Sequence, residues 1–262
     1  MTTGHRLLRL AAGLLPLAVA TAAIAQPGYP SRPVRAVVAW PPGGAADIIA
    51  RLVAQKLGEQ LGQQLVIDNR PGASGAIGAG LAAKSAPDGY TVFVGGMSEL
   101  VLNPQIVKVP YDAARDFAAV SPLAFGYYLL VIHPSLPARS VKGLIALAKA
   151  RPGEINYASG GSGSNLSLVA ELFKTAAGIN VSHIPYKGGG PAAVAVLSGE
   201  SQMMFSTLAA TLPYVISQRL VALALTGTKR SPQLPEVPTF AESGVRGMDA
   251  GLWFVLLAPA AT

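Results

Sequence analysis

The stretch from Val34 to Leu61 constrains the fold more than any other, because a β-branched apolar run, a Pro-Pro-Gly-Gly turn and a long amphipathic segment follow one another directly. Val34-Arg35-Ala36-Val37-Val38-Ala39 has strand character, and Pro41-Pro42-Gly43-Gly44 punctuates it. From Ala45 to Leu61 the apolar residues Ile48, Ile49, Leu52, Val53, Leu57 and Leu61 recur at three- and four-residue steps, which predicts a helix. Leu65 to Ile67 predicts a second strand, Ser74 to Lys84 a small-residue helix, Pro87-Asp88-Gly89 a turn and Tyr90 to Val94 a third strand. Consecutive parallel strands need helical crossovers, so this β-α-β-α-β unit implies a parallel sheet covered on both faces.

The same alternation resumes further along. Past Pro110-Tyr111-Asp112, the apolar runs Phe117 to Leu123 and Tyr128 to Ile132 read as a crossing into a second lobe. That lobe is expected to hold helices at Val141 to Ala150, Ser164 to Ala176 and Pro191 to Leu197. Its strands are expected at Ile155 to Ala158, Val181 to Ile184 and Gln202 to Phe205. Leu220 to Leu225 is expected to return the chain to the first lobe, and Leu252 to Leu257 to add one more strand there. The expected division is residues 26–122 plus 225–262 for lobe 1 and 123–224 for lobe 2.

The N-terminus has a different character. His5, Arg6 and Arg9 precede an apolar stretch from Leu10 to Ile24, which closes on Ala23-Ile24-Ala25. A charged start, an apolar middle and a small-x-small end mark a secretory signal peptide over residues 1–25, with cleavage after Ala25 and a periplasmic destination. A membrane anchor would need about 20 uninterrupted apolar residues, and Pro16 breaks this run.

Composition narrows the function. Hydrophobic residues make up 51% of the chain, but Gly, Pro or a charge interrupts them every few positions, so a soluble mature chain is expected. The formal charge is +7, yet Lys and Arg are scattered without a basic run or interleaved aromatics, which argues against nucleic-acid binding. The chain has no cysteine, so disulfides, thiol nucleophiles and thiolate metal sites are excluded. His133 and His183 are far apart in sequence and do not suggest a metal cluster, and no cofactor is expected.

Two glycine loops are the strongest candidate sites. Pro42, Gly43, Gly44 and Ala45 lie between a strand and a helix start, where unpaired N–H groups and the helix dipole favour an anion. An ordinary β-α turn remains the alternative. Asp47 is expected to cap or orient this loop, since an acid beside a bound carboxylate would repel it. The second loop holds Ser159, Gly161, Gly163, Ser164 and Asn165, again between strand and helix; a flexible turn with a serine N-cap is the alternative reading. Further candidates at strand ends are Gly95-Gly96-Met97-Ser98 and Phe205-Ser206-Thr207, so that Ser98, Ser206 and Thr207 join the expected site. Trp40 either walls the pocket or belongs to the core.

Enzyme signatures are weak. Gly72-Ala73-Ser74-Gly75-Ala76-Ile77-Gly78 lacks the spacing of a dinucleotide fingerprint. No Gly-x-Ser-x-Gly elbow follows the leader, and no serine has a sequence-supported His and acid partner.

Several motifs, in order, carry a resemblance: "PSRPVRAVVAWPPGGAAD" from Pro30 to Asp47, Asn69-Arg70-Pro71-Gly72, Ala86-Pro87-Asp88-Gly89-Tyr90-Thr91, Pro185-Tyr186-Lys187-Gly188 and Leu234-Pro235-Glu236-Val237-Pro238-Thr239. The chain resembles the Bug family, the periplasmic receptors of tripartite tricarboxylate transporters. The resemblance implies an α/β, type II periplasmic binding protein fold with mostly parallel sheets and two lobes around a ligand cleft. It also implies a non-enzymatic, monomeric receptor that captures a small carboxylate ligand and delivers it to the transporter's membrane permease subunits. A ligand-binding sensor subunit and a periplasmic hydrolase or isomerase are the alternatives. In the family the second loop carries Gly-x-Gly with Ser or Thr, matched here by Gly161, Gly163 and Ser164, and then a histidine, whose position Ser167 occupies. Ser206 and Thr207 stand where the family carries an Asp-Asn or similar pair, which implies a changed ligand preference. The family continues beyond the equivalent of Trp253 to Pro259, so a chain ending at Thr262 is expected to leave Leu252 to Leu257 without its covering helices.

Overall fold

A computed structural model describes residues 28–262 of the chain; the expected signal peptide lies outside the described residues. The first unit follows the sequence pattern closely. Strand β1 (Val34–Val38) leads into α1 (Ala45–Leu61), followed by β2 (Leu65–Asn69), α2 (Ala76–Ala83) and β3 (Thr91–Gly96). β1 lies between β2 and β3 and runs parallel to both, with Val37 opposite Asp68 on one side and Phe93 on the other. α1 ends where Gly62 adopts a left-handed φ of 67°, a conformation that costs glycine little, and its N–H donates to the Gly58 carbonyl.

Beyond β3 the chain departs from the expected pattern. A π-helical turn, Ser98–Leu102, runs into α3 (Asn103–Ile106), neither of which the sequence periodicity reveals. The two apolar runs that follow form a single 16-residue strand, β4 (Phe117–Ile132). Register shifts on either side of Ser121 and Pro122 let the strand bend, and a bulge is where proline is tolerated in a sheet.

The second unit holds α4 (Val141–Ala150), β5 (Asn156–Ser159), α5 (Asn165–Ala177), β6 (Ser182–Pro185), α6 (Gly189–Leu197) and β7 (Met203–Thr207). It continues with α7 (Leu208–Ile216), β8 (Val221–Leu225) and β9 (Gly251–Pro259). β5 runs parallel to β6 and β7. The strand order is β2-β1-β3-β9-β4-β7-β5-β6, with β8 also on β4. β4 and β9 are the antiparallel seam: Phe117 to Tyr127 pair with β9, whereas Tyr128 to Ile132 pair with β7 and β8. β8, expected to return the chain to the first unit, pairs instead with the distal half of β4, and β9 makes the return by pairing with β3.

Burial anchors the distal half of β4 between β7 and β8. Leu129, Leu130, Val131 and Ile132 are fully buried, and Phe173, Phe205 and Phe240 pack beside them with ring centroids 5.4–5.8 Å apart. Each such side chain contributes about 1.5–3 kcal/mol by burial. A smaller cluster around Val37, Ala79, Phe93 and Tyr111 secures β1 and β3 against α2. In β9, Leu252, Phe254 and Leu256 face inward, while Trp253 and Val255 on the opposite side are half-buried. No helix among the described residues is long and apolar enough to cross a membrane.

Candidate functional site

Three helices, α1, α5 and α7, begin at strand ends and direct their first turns to one place. Gly44 is the N-cap of α1 and offers no side chain to that turn. The preceding Gly43 has a φ of 83°, and its N–H donates to Asp47 Oδ2 at 3.0 Å. Asp47 Oδ1 accepts from Asn69 Nδ2 at 3.0 Å, and Oδ2 accepts from Arg51 Nε at 3.0 Å. Asn69 also donates to the Trp40 carbonyl at 2.8 Å, which ties the loop to β2. Burial pushes the Asp47 carboxyl up, but hydrogen bonds from Arg51, Gly43 and Asn69 outweigh it and hold the group below its ordinary range. The carboxylate thus fixes the loop from behind.

The second loop is built from hydroxyls. Ser164 caps α5 by accepting from the Ser167 N–H at 3.2 Å, and its own hydroxyl donates to the Gly161 carbonyl at 2.8 Å. Ser167 Oγ donates to the Ser162 and Ser164 carbonyls, so this side chain, at the expected histidine position, is engaged within its own loop. Ser159 Oγ accepts from the Gly161 N–H at 3.1 Å and lies 2.6 Å from His183 Nε2. Ser159 and His183 come together because β5 and β6 are parallel neighbours, which proximity in sequence does not disclose; no carboxylate is hydrogen-bonded to His183 among the described residues. Burial lowers the His183 pKa. Thr207 caps α7, accepting from Ala210 N at 3.3 Å.

Between these loops lies an open cleft with about 570 Å³ of space, the part open to solvent included. Of the expected site residues, Trp40, Gly44, Ala45, Ser98, Ser164, Asn165, Ser206 and Thr207 line it. The other six stand behind that layer. Pro42, Gly43 and Asp47 shape the first loop, and Ser159, Gly161 and Gly163 shape the second. No Lys, Arg or His lines the cavity among the described residues. Arg35 and Arg70 are instead paired with Asp68, the former at 2.7 Å and the latter at 2.8 Å.

The two units close on each other through glycine. A Cβ on Gly188 would fall 2.6 Å from Pro41 Cδ, and one on Gly190 would fall 2.7 Å from the Pro42 carbonyl oxygen. Real Cβ contacts are not that short, so these positions depend on glycine for close backbone approach. Across the same cleft, the Asn165 N–H donates to Ser98 Oγ at 3.1 Å.

Sequence reasoning missed Gly189, Phe254 and above all Glu99 as lining residues. Glu99 is 1% exposed. Its Oε1 accepts from Trp40 Nε1 and its Oε2 from the Gly96 N–H at 3.1 Å. Burial pushes its carboxyl up to about 7 against these stabilising bonds. A lone acid in Met97-Ser98-Glu99-Leu100 carries no sequence signal of burial; the π-helical turn puts it there, and such turns often sit at functional sites.

Comparison with known proteins shows the family and the fold. The family described as "Tripartite tricarboxylate transporter family receptor" matches residues 49–262. Protein BugT of Bordetella pertussis is 41% identical over 253 residues, covering 93% of this chain and 77% of that protein. An R. palustris protein solved with adipate is 39% identical with a TM-score of 0.87, covering 89% of this chain and 79% of that one. MatC from Rhodopseudomonas palustris, solved with bound malate, is 29% identical with a TM-score of 0.84, covering 89% of this chain and 80% of that one. Two α/β units around a cleft, with the sequence match across most of the chain, lead to one conclusion: this chain belongs to the family of tripartite tricarboxylate transporter receptors, the Bug proteins.

Proposed function

We propose that this receptor is exported, with cleavage after Ala25, and captures a small carboxylate in the cleft for delivery to the membrane permease subunits of a tripartite transporter. The observation that carries the reading is the convergence of the α1, α5 and α7 N-termini on one cavity lined by no basic side chain. Unpaired backbone N–H groups and the dipole's positive end favour a carboxylate without a countercharge. The relatives solved with adipate and malate support the ligand class. The lobes of this reading are residues 26–122 with 225–262, and 123–224, and the protein works as a monomer.

A catalytic reading has less support. Ser159 has a histidine at 2.6 Å, but the serine is fully buried and its hydroxyl is bound into the Gly161 turn, which gives it a positioning role. A thermal-shift screen of mono-, di- and tricarboxylates tests the proposal. A ligand at about 100 times its dissociation constant raises stability by about 2.7 kcal/mol. A screen in which no carboxylate shifts the melting temperature would exclude the reading, as would turnover of the one that does.

A further inference from the structure

Glu99 presents a difficulty for a carboxylate site, because it places a second acid at the wall of the same cavity. Each of its oxygens already accepts one hydrogen bond, from Trp40 Nε1 and the Gly96 N–H. The backbone of Gly75 closes the other side so tightly that a Cβ there would fall 2.8 Å from Oε1. No charged side chain faces Glu99 among the described residues. Its titratable neighbour is Tyr111, whose hydroxyl donates to the Glu99 carbonyl at 2.6 Å and is pushed up to about 12, mainly by burial, so it stays protonated. An ionised Glu99 therefore has no countercharge, and a carboxylate bound beside it would be repelled.

We infer that Glu99 binds a proton when the cleft binds its carboxylate, so that the protein takes up anion and proton together. The inference rests on the reading of the cleft as a carboxylate site. The proton ends on the Glu99 carboxyl and comes from solvent; no other bond changes. Burial, which pushes this carboxyl up to about 7, supplies the ready response, because an incoming anion raises its proton affinity further.

Calorimetric titration of the full mature protein with acetate, malate and adipate between about pH 6.5 and 8.5, where free carboxylates are ionised, tests this. The dissociation constant should change little below about pH 7 and rise by up to about tenfold per pH unit above it. Titrations at about pH 8 in two buffers of different ionisation enthalpy should report uptake of up to one proton per ligand. In Glu99→Gln the pH dependence should vanish. If that variant fails to fold, the two-buffer measurement on the natural chain decides alone. Binding that is flat with pH and takes up no proton overturns the inference while leaving the carboxylate reading intact, and so does a slope that Glu99→Gln retains. Aspartate bound more tightly than malate, with affinity rising with pH, also overturns it, because an ionised Glu99 would then be pairing with an ammonium group. If no carboxylate binds at any pH, both fall.

Discussion

Ser98 and Asn165 meet across the cleft: the backbone N–H that opens α5 donates to the Ser98 hydroxyl at 3.1 Å. Ser98 follows β3 in the first unit, and Asn165 follows the second glycine loop, so one hydrogen bond links the two walls of the candidate site. Ser98→Ala should leave the fold intact and weaken carboxylate binding by about twofold to tenfold, the value of one net hydrogen bond. An unchanged dissociation constant by calorimetry would show that this bond plays no part in the bound state.

Gly190 tests closure separately from chemistry. No unusual φ is needed there, but an added Cβ would strike the Pro42 carbonyl from across the cleft. Gly190→Ala should therefore change the melting temperature little while reducing affinity at least tenfold, about 1.4 kcal/mol. Solution scattering should show a more open particle. A variant as compact and as tight-binding as the natural chain would remove the closure argument.

Asp47 is the loop's internal anchor. Asp47→Asn puts an amide donor among the donors of Gly43, Asn69 and Arg51, and should cost about 1–3 kcal/mol of stability. Because the folded carboxyl titrates below its unfolded value of 3.8, its stabilising contribution is fully present above that pH and disappears as pH falls through the folded value. Chemical denaturation across the acid range should show this loss in the natural chain and a shallower one in the variant. Parallel curves would contradict it.

Two of the three helices that position the site, α1 and α5, were legible because their signals are local. The apolar steps of Ile48, Ile49, Leu52 and Val53 set α1 at Ala45–Leu61, and the serine cap read in the second loop, Ser164, places the start of α5. Both glycine loops could be found in the same way. What could not be read depends on contacts distant in sequence. The interval between Leu123 and Tyr128 separates two apolar runs in the sequence, but pairing with β9 carries one strand through it. Pro213 obscured α7, whose start rests on the Thr207 cap. Glu99 is buried only because Trp40, Gly75 and Gly96 come together around it.

In the proposed binding mode, backbone amides and hydroxyls, with bridging water, hold a carboxylate and no basic side chain does. Calorimetry with malate and adipate on the natural chain and on Arg35→Ala, Arg70→Ala and Lys187→Ala tests it most directly. At least one of the two acids should bind one-to-one, with each variant within about threefold of the natural chain, under about 1 kcal/mol. Loss of binding in any one of these variants, or no binding of either acid to the natural chain, would contradict it.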